Sequence, residues 1–139
     1  MKRMAFLNNC SRGYIFLLLI LSSLPVFAVD TLVPTGASWK YLDNGTDLGS
    51  IWTENLYDDS SWNSGPAQLG YGDGDEATVV NGGPVDDRNP TTYFRHSFNV
   101  TDASAYNGLT LRILRDDGVA VYLNGIEIFR NNLSTGANY

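Results

Sequence analysis

The chain is 139 residues long and carries 15 Asp and Glu against nine Lys and Arg, a net charge of −6. So acidic a balance argues against nucleic acid or an anionic membrane as the main partner, because phosphate contacts need clustered Lys and Arg. The length suits one domain with a core of useful size, and a single cysteine, Cys10, excludes a disulfide within the chain.

Three cations, Lys2, Arg3 and Arg12, precede an unbroken apolar run over residues 14–21, after which Ser22, Ser23 and Pro25 interrupt any helix. Val26 and Ala28 then supply the small residues of a cleavage site, so residues 1–28 read as a secretory signal peptide. A membrane span needs ~20 apolar residues, and this run is far shorter, so no membrane association beyond the leader is expected. Cys10 lies before the run rather than at its end, which is the wrong place for a lipoprotein anchor. Removing the 28 residues leaves 111, with six Lys and Arg against 15 Asp and Glu and a net charge of −9. The expected location is secreted, at the cell surface or in the periplasm. Export permits disulfides, yet no cysteine follows the leader, so the fold must rest on its core.

After the leader, short runs of aromatic and β-branched residues alternate with Gly, Asn, Asp and Ser, and no segment sustains a 3.6-residue apolar period. Residues 38–42 form the first strand, closed by Asp43-Asn44-Gly45. Residues 51–53 suit a short strand or an irregular segment. Gly and Pro crowd residues 65–74, and 72–90 is a long loop, interrupted by a short strand over 78–80. Residues 92–100 alternate, with Phe94, His96, Phe98 and Val100 on one face and Tyr93, Arg95, Ser97 and Asn99 on the other. Asn107-Gly108 turns into a strand over 109–114, and Asp116-Asp117-Gly118 turns again into 119–123. Asn124-Gly125 joins that strand to 126–130, the strongest local signal for a hairpin, since a type I′ turn needs positive φ at both central residues. The tail, 131–139, contains no strand. A jelly roll has about eight strands, and five or six are clear here. The last apolar strand has no later partner in sequence, so the expectation is a piece of a longer multidomain protein, truncated at its C-terminus.

Three separate stretches carry a resemblance. Residues 57–62 (Tyr-Asp-Asp-Ser-Ser-Trp) with 65–73 (Gly-Pro-Ala-Gln-Leu-Gly-Tyr-Gly-Asp) resemble the N-terminal part of galactose-binding-like jelly-roll modules. Residues 93–98 (Tyr-Phe-Arg-His-Ser-Phe) resemble their aromatic-Arg strand, and 116–125 (Asp-Asp-Gly-Val-Ala-Val-Tyr-Leu-Asn-Gly) their hairpin. The same order occurs in sugar-binding domains of β-galactosidase-type glycoside hydrolases and in accessory modules of large secreted bacterial proteins. The resemblance covers nearly all of residues 32–130. It implies an all-β, galactose-binding-like β-sandwich over residues 29–139. The module so implied is noncatalytic, binding a glycan or polysaccharide or docking beside downstream domains of the same chain. The alternative is a structural spacer that positions a downstream catalytic domain such as a hydrolase. Fold alone does not decide between them.

The residues suggest where a ligand would sit. Trp39, Trp52, Trp62, Tyr57 and Tyr71 could offer an apolar face to a pyranose, although tryptophans in a small sandwich usually serve as core. Trp62 is assigned to the core, whereas Trp52 and Tyr71 suit either role. Asp73, Asp75 and Glu76 crowd one loop, with Arg88 beyond, and this group with Trp52 and Tyr71 forms the candidate ligand site. Asp73 and Asp75 could also hold a structural Ca²⁺, which takes six to eight oxygen ligands, though a solvated acidic loop explains them as well. His96 is the only histidine, and its alternation with Phe94 and Phe98 suits a satisfied, partly buried side chain. Zinc is not expected without further His or Cys ligands. Asp116 and Asp117 are turn residues, too close to flank a glycosidic bond across ~5–9 Å. Asn44, Asn99 and Asn132 begin glycosylation sequons. No set of residues forms a recognisable catalytic constellation.

Overall fold

The computed structural model describes residues 29–137; the expected signal peptide, 1–28, lies outside the described residues. All the elements below belong to one unit, Thr31–Tyr139. Among the described residues there is no α-helix, only two short 3-10 turns, Ile51–Thr53 and Ala103–Ala105, and seven strands. The strands are β1 (Ser38–Leu42), β2 (Asn63–Pro66), β3 (Leu69–Gly70), β4 (Thr78–Val79), β5 (Tyr93–Arg95), β6 (Val119–Leu123) and β7 (Ile126–Asn131). They make three small sheets: β2-β1-β5, antiparallel throughout; β3-β4, parallel; and the antiparallel hairpin β6-β7. The expectation of a β-rich chain without long helices holds at this level. Two sheets stacked face to face are not shown among the described residues.

β1 is the central strand of the first sheet, with β2 along one edge and β5 along the other. Trp39 pairs with Gly65 and Tyr41 with Asn63 on one edge, and Lys40 pairs with Arg95 and Leu42 with Tyr93 on the other. β5 is shorter than the alternation over 92–100 predicts. Beyond the Lys40–Arg95 pair the ladder ends, and the Ser38 carbonyl accepts a hydrogen bond from His96 Nδ1 at 2.8 Å instead. A carbonyl can only accept, so the proton sits on Nδ1. The imidazole also lies 5.0 Å from the Trp39 ring. His96 is thus satisfied and half-exposed.

In β5 the buried residue is Tyr93, with Phe94 and Arg95 half-buried. Tyr93 is 2% exposed, and with Trp62 and Val80 it makes up the buried apolar core among the described residues. Trp52 packs on Tyr93 at 5.1 Å and Tyr57 on Trp62 at 5.7 Å, in tilted or edge-on geometry. Such arrangements favour the ring quadrupoles over a flat sandwich. Arg95 can point inward because its charge is met there. Nε donates to Asp59 Oδ2 at 2.8 Å, Nη1 to the Trp52 carbonyl and Nη2 to the Glu54 carbonyl at 3.2 Å. Its guanidinium also lies 5.4 Å from the Tyr57 ring centre.

The C-terminal hairpin forms as its turn chemistry dictates. Asn124 and Gly125 have φ of 52° and 81°, and Leu123 faces Ile126, which is a two-residue type I′ connection. Val121 pairs with Phe129 but Tyr122 pairs with Glu127, so Ile128 is the extra residue of a bulge. Trp52 reaches this hairpin through an edge-on contact with Tyr122 at 5.5 Å. Gly125→Val is expected to destabilise the chain by about 1 kcal/mol or more, since a β-branched residue resists positive φ. Asn124→Gly should be tolerated. Urea melts of the two variants check this, and equal losses would show that the turn does not set the register.

The strand expected over 109–114 is not present. A strand requires a hydrogen-bonded neighbour, and among the described residues none is paired with this segment; Leu109, Leu111, Ile113 and Leu114 are all exposed. In the turn before β6, Gly118 is not in the positive-φ region; a glycine fits there because Asn132 and Leu133 press against it, with the Asn132 carbonyl 2.7 Å from where a Cβ would stand.

Candidate functional site

The loop between β3 and β5 is a tied structure, not a slack one. Parallel pairing of Leu69 with Thr78 and Gly70 with Val79 closes residues 71–77 into a tight excursion. Inside it, Glu76 bends back and accepts hydrogen bonds from the backbone N–H groups of Asp73 (3.0 Å) and Gly74 (2.9 Å). The Asp73 N–H foremost, with those of Glu76 itself and Gly74, holds the Glu76 carboxyl below its ordinary pKa, against the opposing effect of desolvation. Asp75 Oδ1 accepts from Gln68 Nε2 at 3.1 Å. Two of the three carboxylates therefore accept from nearby donors, Glu76 from within the loop and Asp75 from the residue that precedes β3. Among the described residues no group of three or more His, Cys, Asp and Glu is disposed to hold a metal ion. The arrangement of Asp73 and Asp75 thus offers little to a Ca²⁺ ion, which demands many oxygens at once, and fits the solvated acidic loop that is its alternative.

The second half of the loop, 80–90, is clamped by asparagines. Asn89 Nδ2 donates to the Asp43 carbonyl at 2.8 Å and to the Asn81 carbonyl at 3.0 Å, while the Asn89 N–H reaches the Gly82 carbonyl at 2.9 Å. The Asn81 N–H donates to Asp43 Oδ2 at 2.6 Å, and Asn81 Oδ1 accepts from the Gly83 N–H at 3.0 Å in a local Asx turn. This clamp escaped the sequence reading. Asn81-Gly82-Gly83 signals a turn, but its tie to Asp43 and Asn89 is long-range and has no sequence mark.

The clamp positions Tyr71 and Arg88. Gly82 backs onto the Tyr71 ring so closely that a Cβ there would stand about 2.6 Å from Cε1. The Arg88 guanidinium carbon lies 5.0 Å from the ring centre, and Nη1 donates to the Gly83 carbonyl at 2.9 Å. Tyr71 nevertheless remains 42% exposed. A half-exposed aromatic ring beside a fixed guanidinium can meet an apolar C–H face and a hydroxyl or carboxylate oxygen at the same time.

Of the residues expected to form one site, the structure brings Tyr71 and Arg88 together and sets Asp73, Asp75 and Glu76 in the neighbouring turn. Trp52 is placed differently. It sits in the 3-10 turn, half-buried, with its ring on Tyr93 and Tyr122 and its carbonyl on Arg95. Trp62 is core, as expected, at 7% exposure. A 380 Å³ hollow elsewhere is lined by Tyr122, Glu127, Arg130 and residues 135–137. Its Arg130 is committed to Glu127, the Tyr122 hydroxyl and the carbonyls of Ser134 and Ala137, so it offers no free donor. Comparison with protein-family models, with curated proteins and with solved structures finds no match for the chain.

Proposed function

We propose that this chain is a noncatalytic carbohydrate-binding or docking module of an exported protein, built on a galactose-binding-like β-sandwich. The observation that carries the reading is Tyr71: an exposed aromatic ring flanked by Arg88, on a loop held in shape by Asn81, Asn89 and Asp43. A preorganised loop loses little entropy when a ligand settles on it. The residue order of the leader supports export, and the three motif stretches support the fold. The site has no metal role in this reading, since Glu76 takes the backbone N–H groups of Asp73 and Gly74 and Asp75 takes the side-chain amide of Gln68.

The spacer reading is favoured by a different observation. The three tryptophans all lie in ring contacts, with His96, Tyr93, Tyr122 and Tyr57 as partners, which leaves Tyr71 as the exposed platform of the five candidate rings Trp39, Trp52, Trp62, Tyr57 and Tyr71. Affinity electrophoresis on a panel of neutral and acidic polysaccharides separates the two. Retention by the unaltered chain, weakened about tenfold or more by Tyr71→Ala or Arg88→Ala, is the expected result. Chelation of calcium should leave retention unchanged. A chain that migrates freely on every polysaccharide would put the spacer ahead.

A further inference from the structure

We draw no further inference here: the strongest candidate, the exposed apolar side chains of residues 109–114 and of the β6–β7 hairpin, carries nothing, because nothing in the structure shows what covers them.

Discussion

Replacing Tyr93 by alanine should cost about 3–5 kcal/mol, the range seen when a large buried aromatic is truncated and its site cannot collapse. Tyr93 is the largest fully buried side chain among the described residues, and its surroundings explain the size of the effect. Its ring receives Trp52 at 5.1 Å and Trp62 at 6.3 Å, so truncation leaves two indoles facing a void. Its hydroxyl accepts the Leu48 N–H at 3.2 Å, which ties the segment after β1 to the core. Domains of this size are stabilised by only about 5–15 kcal/mol in all, so the alanine variant should lose most of its margin. Tyr93→Phe keeps the ring and forfeits the hydrogen bond, a change of about 1 kcal/mol. Urea denaturation followed by tryptophan fluorescence measures both. A small loss in Tyr93→Ala would mean that the core lies elsewhere.

Why Tyr93 escaped the sequence reading is a matter of what alternation can show. A period of two separates faces but does not say which face is inward. Residues 92–100 put two phenylalanines and a valine on one side, and hydrophobicity alone favours that side. Tyr93 is nevertheless the residue that is buried, and Arg95 next to it on that face finds partners of its own, which stand 36 to 43 residues earlier in the chain. The hairpin was legible for the opposite reason. Positive φ at Asn124 and Gly125 is a property of adjacent residues, so the turn declares itself without help from the rest of the fold. Residues 109–114 have a strand's pattern but lack the neighbour that makes one, because pattern specifies a face and not a partner. At the site, Tyr71 and Arg88 stood out as residue types, yet their juxtaposition depends on Asn89 bridging back to Asp43 across 46 positions. Acidic density left a cation and a solvated loop both open, and the carboxylates of Glu76 and Asp75 meet donors nearby in the chain. Composition records how many oxygens are present; geometry decides what they face.

Arg95 should be the second most costly residue to remove. Its Nε meets Asp59 at 2.8 Å, with the two side chains 17% and 23% exposed. Arg95→Ala strands the Asp59 carboxylate with Lys40 as its remaining cation, at 3.2 Å, and withdraws the donor from the Trp52 and Glu54 carbonyls. Breaking a buried pair costs about 3–5 kcal/mol, and partial exposure brings the expected loss to about 2–4 kcal/mol. Arg95→Lys should recover only part of it, because an ammonium cannot direct three separated N–H groups along a planar fork. The same pair sets a pH dependence. Partial burial alone raises the Asp59 pKa, but hydrogen bonds from Arg95 and Lys40, with their charges, outweigh it and hold the carboxyl below its ordinary value of 3.8. A depressed folded pKa means that the unfolded chain binds the proton first. The contribution of Asp59 is therefore complete above the ordinary value and fades as pH falls from there through the folded pKa. Asp59→Asn removes that contribution, so its deficit against the unaltered chain should be constant near neutrality and shrink below about pH 4. Urea midpoints collected from pH 7 down to pH 3 measure the difference. A deficit that stays level, or grows, as the solution is acidified would show that Asp59 is not held ionised by Arg95.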